Sequence, residues 1–174
     1  WDDHTSQLDR LEFAIKNNCN VQVTPLWQSY KEVSDLITRF KDAQIKCQNN
    51  AQSKIMLLQH TFVAGSDTEM DYAANKFSEF YGHFGAWFKN ERSVDQAVMK
   101  KLSHSELESL EMYSPEVMKA NLAIGNSTDV IKLLKKYEEL GYDEFAYWVD
   151  SGMSFELKKA SLDRFINEVM PAFQ

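Results

Sequence analysis

The chain has 174 residues, 44% of them apolar and 26% charged, with a formal net charge of −7. That is the make-up of a globular domain with a core of its own, and it is too acidic for a surface that reads nucleic-acid phosphates, which needs clustered Lys and Arg. No apolar run approaches the roughly 20 residues of a membrane span, so no membrane role is expected, and there is no secretory signal pattern.

Cys19 and Cys47 have no metal-ligand spacing and read as reduced thiols of a cytoplasmic protein. His4, His60, His83 and His104 are scattered, and no metal site is expected from them. The start at Trp1 rather than Met fits removal of an upstream segment. Asn126-Ser127-Thr128 matches a glycosylation sequon, which reads as chance without a signal peptide.

Taken in order, Ser6–Asn17 is amphipathic through Leu8, Leu11, Phe13, Ala14 and Ile15, which predicts a helix with Thr5 or Ser6 as its cap. No strand precedes it. Asn20–Leu26 alternates and predicts a strand that Pro25 ends. Tyr30, Val33, Leu36, Ile37, Phe40 and Ala43 predict a helix from Ser29 to about Cys47, and Asn49, Asn50 and Ser53 a return loop. Lys54–Ala64 is the longest apolar run and suits a strand buried on both faces, as in a parallel sheet. Ser66 or Asp67 can cap a helix from about Thr68 to Phe88. Phe77, Phe80, Tyr81, Phe84, Trp87 and Phe88 form a stripe in it, either core or the wall of a substrate pocket. Asn90–Lys119 is polar and less regular, with Ser103 and Glu106 as a candidate capping box and Pro115 after it. A stretch of this length between two strand–helix units is a lid or an added surface layer.

Ala120–Asp150 reads as a complete βαβ unit. Ala120–Ile124 is a short apolar run, and Gly125-Asn126-Ser127-Thr128 breaks it with residues that turn the chain and cap helices. Val130, Ile131, Leu133, Leu134, Tyr137 and Leu140 place a helix over about Thr128–Leu140, and Gly141 sits where a helix C′ glycine belongs. Phe145–Val149 is then a second strand. The start of such a helix, free of bulky side chains, is a ready site for an anion such as phosphate, although a capped helix without a ligand has the same pattern. Asp150-Ser151-Gly152 is another turn, and Ser154 caps a last helix whose apolar residues run from Phe155 to Val169. A leading helix followed by four strand–helix units predicts an α/β protein with a parallel sheet, in one domain over residues 1–174.

No GxSxG, P-loop or GxGxxG motif is present. His60 falls near the C-terminal end of its strand, where parallel α/β sheets gather their sites; a satisfied structural histidine is the other reading. Trp148 and Asp150 end the last strand in the same way, and Asp150 is equally well a turn residue bonded to its own backbone.

LAIGNSTDVIKLLKKYEELGYDEFAYWVD (Leu122–Asp150) and KKASLDRFINEVMPAF (Lys158–Phe173) resemble the C-terminal region of the bacterial luciferase-like flavin-dependent monooxygenases. EFAIKNNCNVQVTPLW (Glu12–Trp27) and KIMLLQHTFVA (Lys54–Ala64) look like earlier parts of the same family. The resemblance implies a (β/α)8 barrel of which this chain is the C-terminal half, with an irregular insertion or lid at about 89–120. The strand of the leading helix would then lie upstream of Trp1. Such a ring takes about 250 residues, so the chain reads as a fragment, stable only against its missing N-terminal half or a second copy.

The family binds FMN at the C-terminal mouth of the barrel. Reduced flavin, delivered by a separate flavin reductase, and O2 oxygenate a small organic substrate. Some relatives use F420 for hydride transfer instead, and others keep the fold as non-catalytic flavin-binding proteins. By the resemblance Gly125, Asn126 and Ser127 would hold the flavin phosphate, Thr5 and Ser6 would add small hydroxyls near it, and His60, Trp148 and Asp150 would face the pocket. His60 and Asp150 are the catalytic candidates and Trp148 a substrate-pocket residue, with a homodimer of the parent protein implied. No residue is an obvious acid or base, which suits chemistry carried by the cofactor. A self-contained flavodoxin-like domain is the remaining reading.

Overall fold

The computed structural model describes residues 4–48, 53–90, 92–150 and 152–173, the side chains of 4–9 excepted. Asn49, Asn50 and Ser151, read above as loop and turn residues, lie outside them. The described residues form two compact units, Trp1–Gln59 with Lys132–Trp148, and His60–Ile131 with Val149–Gln174.

The first unit opens with α1 (His4–Lys16), which begins ahead of Thr5 and Ser6, so these lie in its first turn rather than before it. β1 (Val21–Val23) is shorter than the expected Asn20–Leu26. Pro25 lacks an N–H, and Leu26 turns to φ 54° with its N–H donating to the Thr24 hydroxyl at 3.1 Å, so the ladder stops. α2 (Tyr30–Lys46) buries Val33, Ile37, Phe40 and Ala43 and packs on α1. β1 runs parallel to the first part of β2 (Ile55–Val63), with Val21 opposite Ile55 and Val23 opposite Leu57.

The second part of α6 (Ser127–Leu140) and β6 (Glu144–Trp148) complete this unit. Gly141 between them has φ +99°, the left-handed conformation a helix C′ glycine adopts. β6 pairs with β2. At its entry Asp143 accepts from the Ile55 N–H at 2.8 Å and donates its own N–H to the Ile55 carbonyl at 3.1 Å. The Tyr142 hydroxyl donates to the Val33 carbonyl at 2.7 Å, and Tyr137 donates to Gln59 Oε1 at 3.0 Å, so these two buried phenols find partners.

In the second unit the last residues of β2 pair in parallel with β5 (Ala123–Gly125), Thr61 opposite Ala123 and Val63 opposite Gly125. β5 starts later than the apolar run suggested. Ala120 belongs to α5 (Pro115–Asn121), whose buried Met118 is four residues from buried Leu122, so helical spacing claims the front of the run. β5 and β6 flank one helix, yet each pairs with β2. β2 is nine residues long, and β5 takes only its last three.

α3 (Asp67–Phe88) is capped by Ser66, whose hydroxyl accepts from the Glu69 N–H at 3.2 Å. Its buried stripe includes Ala73, Ala74, Phe77 and Tyr81. Between α3 and α5 the chain carries a short hairpin of β3 (Val94–Asp95) and β4 (Val98–Met99), then α4 (His104–Glu108) and a 3-10 turn at Glu111–Tyr113. The expected capping box is present at Ser103 and Glu106. Arg92 ties hairpin to helix, donating to Glu106 at 2.6 Å and to the Lys101 carbonyl at 2.9 Å. α7 (Phe155–Arg164), capped by Ser154, continues through a π turn at Phe165–Val169 into a 3-10 turn at Met170–Phe173. Ser161 accepts from the Val63 N–H at 2.7 Å and Arg164 donates to the Val63 carbonyl at 3.0 Å, so α7 satisfies both backbone groups at the end of β2.

Candidate functional site

His60 is fully buried in β2. Its Nε2 lies 2.8 Å from the Asp150 carbonyl oxygen and its Nδ1 2.7 Å from the Tyr81 hydroxyl. A carbonyl oxygen only accepts, so Nε2 carries the proton and Nδ1 accepts from Tyr81. The rings of Phe77, Phe80 and Tyr81 surround it with centroids at 5.0, 5.0 and 5.3 Å. Burial lowers its pKa to about 4 and pushes the Tyr81 phenol upward. His60 is therefore neutral near pH 7 with both nitrogens engaged, an arrangement that holds the chain at Asp150. The structure brings His60 and Asp150 together through the Asp150 backbone; the Asp150 carboxylate is exposed and pairs with Lys158 at 3.3 Å. Tyr81, which decides the tautomer of His60, was legible only as one ring of an aromatic stripe.

Gly125, Asn126 and Ser127 form the turn from β5 into α6. Gly125 is buried, and a Cβ there would stand 3.1 Å from the Asp129 Cβ. Asn126 caps the helix, its Oδ1 accepting from the Asp129 N–H at 3.0 Å and its carbonyl from the Val130 N–H at 3.0 Å. The Ser127 hydroxyl donates to the Glu168 carboxylate, a partner far along the chain that no local pattern announces. The helix start and the Ser127 hydroxyl suit an anion, whereas the Asp129 and Glu168 carboxylates oppose one. An anion gains Ser127 by displacing Glu168. Trp148 lies half-buried at the end of β6 in the other unit. The side chains of Thr5 and Ser6 lie outside those described.

A groove of about 430 Å³ runs along the second half of α3, lined by Lys76, Glu79, Phe80, His83, Phe84, Trp87, Met99 and Gly152. The aromatic stripe of α3 is thus divided. Phe77 and Tyr81 are core, Phe80 and Phe84 half-buried groove walls, and Trp87 is 61% exposed at the groove's edge. Among the described residues no group of three or more His, Cys, Asp or Glu side chains could hold a metal ion, and no helix is long and apolar enough to cross a membrane.

No family model matches the chain. It is 52% identical over 162 residues to a protein of Acinetobacter baylyi described as the oxygenase component of a flavin-dependent trigonelline monooxygenase. The match takes in 93% of this chain and 45% of that protein, so the chain spans about half the length of the curated relative it matches. Among solved structures, the monooxygenase RslO1 of Streptomyces bottropensis superposes with a TM-score of 0.65 at 14% identity, over 98% of this chain and 46% of its own. An F420-dependent secondary alcohol dehydrogenase, solved with an F420–acetone adduct, superposes with a TM-score of 0.61 at 13% identity, over 96% and 46%. The chain matches about half of each of these structures, the share that half a (β/α)8 barrel takes. The chain is thus similar in sequence to a flavin-dependent oxygenase component and has the α/β fold of half a (β/α)8 barrel.

Proposed function

We propose that this chain is part of the oxygenase component of a two-component flavin-dependent monooxygenase acting in the cytoplasm on trigonelline or a closely related pyridinium carboxylate. The observation that carries the reading is 52% identity maintained over 93% of the chain. Reduced FMN, supplied by a separate reductase, provides two electrons. One oxygen atom of O2 enters the substrate and the other leaves as water. The F420-dependent neighbour shares the fold at 13% identity and keeps a deazaflavin as the second cofactor reading.

The chain's own contribution is to hold the flavin and keep water from it. The β5–α6 turn receives the phosphate, with Ser127 turned from Glu168 towards it. Support comes from the exposed helix start, the small residues before it and the hydroxyl already in place. His60 keeps the chain segment at Asp150 in register rather than exchanging protons.

Two measurements test this. The gene product containing this chain, given FMN, a flavin reductase with NADH, and trigonelline, consumes O2 in a trigonelline-dependent manner with an oxygenated product; reductase-only consumption would overturn the activity. Ser127→Ala weakens FMN binding about tenfold and Glu168→Gln strengthens it several-fold, as expected when one charge-assisted bond is lost or one repulsion removed. Unchanged affinity in both variants places the phosphate elsewhere.

A further inference from the structure

α7 and the turns that continue it present two faces of different kinds. On the inner face Ser161 and Val169 are fully buried. Ser161 and Arg164 hold the N–H and carbonyl of Val63, and Arg164 also pairs with Glu69 at 2.8 Å, so this element is fixed to the rest of its unit. On the outer face Phe155, Leu162, Ile166 and Met170 are 70%, 36%, 47% and 42% exposed. They follow one another by seven, four and four residues, with Lys159 between the first two, and so form a single stripe. The π turn at Phe165–Val169, with its wider i to i+5 step, keeps Met170 in line with Ile166. An apolar stripe held in place and left in water is an association surface.

The stripe is self-complementary. Set against a second copy running the other way, Phe155 comes over the second copy's Met170, Lys159 over its Ile166, and Leu162 beside its own twin, because these pairs share one centre between Leu162 and Asp163. Lys159 and Asp163 pair within the helix at 2.7 Å, beside the seam. In the reversed pairing Lys159 of each copy also falls within a turn of the other's Asp163, while its methylene stem covers Ile166. We propose that the outer face of α7 is an interface between two copies of this chain, an antiparallel helix pair about a twofold axis near Leu162. One helix face is smaller than the roughly 800 Å² per partner of a standard interface, so the dimer forms in the micromolar range. Glu168 stands two positions from both Ile166 and Met170, off the stripe, so the pairing leaves its contact with Ser127 untouched. The interface is independent of the oxygenase reading.

Sedimentation of the 174-residue chain at rising micromolar concentration should pass from monomer to dimer. Ile166→Lys sets a second ammonium against Lys159 across the seam and weakens association about tenfold or more. Ile45→Lys, at an equally exposed position on α2, leaves association unchanged. Both side chains reach solvent in the single chain, so an unchanged melting transition accompanies both variants. Lys159→Asp weakens the dimer, and adding Asp163→Lys restores it. With Cys19 and Cys47 replaced by serine, Leu162→Cys oxidises to a disulfide-linked dimer, whereas Phe155→Cys, about 22 Å from its twin along the seam, does not. A monomer at every concentration, a dimer indifferent to Ile166→Lys, or crosslinking through Phe155→Cys in place of Leu162→Cys overturns the proposal. So does a longer gene product that stays monomeric, since its own residues then cover the stripe.

Discussion

His60 can be neutral and buried because each of its ring nitrogens meets a partner of the right kind, a carbonyl oxygen for the N–H and a phenol for the lone pair. The unfolded chain binds the proton at the ordinary pKa of 6.5, whereas the folded chain resists it until about 4. Between these values the unfolded state holds more protons, so stability rises with pH through the window and is lost as pH falls through it. The gap corresponds to about 3 kcal/mol. Urea unfolding between pH 7 and 4.5 should show this decline, and His60→Gln should flatten it. A slope that survives the substitution would mean that other groups carry it. Glu106 lies outside this window, because the Ser103 N–H and the Arg92 guanidinium hold its carboxyl down to about 2.

At the scale of elements, α3 is built to be approached closely on one side. Gly82 faces Leu107, whose Cδ2 would stand 2.5 Å from an added Cβ, and Gly85 faces the Tyr113 ring. These helical glycines seat the segment from Leu102 to Tyr113. Alanine in an ordinary helix position stabilises by about 1 kcal/mol over glycine. Here the clash opposes it, because overpacking a seated contact costs roughly 1–3 kcal/mol. The double change Gly82→Ala, Gly85→Ala should therefore lower stability despite its better helix propensity. Limited proteolysis would show cleavage within residues 92–114 at protease levels that leave the parent chain intact. Equal protection in both proteins would mean that α3 does not hold this segment through these contacts.

For the molecule as a whole, the chain matches 45% of its curated relative and 46% of each barrel neighbour. Among the described strands β1, β5 and β6 pair only with β2, so strand edges are left without a strand partner. Large apolar side chains such as Phe13, Ile45 and Phe155 are more than two-thirds exposed on the single chain, at 71%, 75% and 70%. Such surfaces associate. The 174-residue chain should sediment as a dimer or larger species at micromolar concentration, or join a co-expressed segment that completes the ring. A monodisperse 20.2 kDa monomer with one cooperative melting transition would show that these edges and side chains are tolerated in water.

The sequence by itself determined what depends on neighbours within a turn or two. The helices over 30–46, 67–88, 127–140 and 155–164, the caps at Ser66, Ser103 and Ser154, and the glycine at 141 follow from apolar period and side-chain-to-backbone bonding. Only the tertiary structure decided that β6 would join β2, that Tyr81 would set the tautomer of His60, that Glu168 would take the Ser127 hydroxyl, and which rings of the α3 stripe would be core or groove. The first three of these join residues 20 or more apart. Pairing at that distance is chosen by the free energy of the packed whole, to which a local pattern carries no pointer.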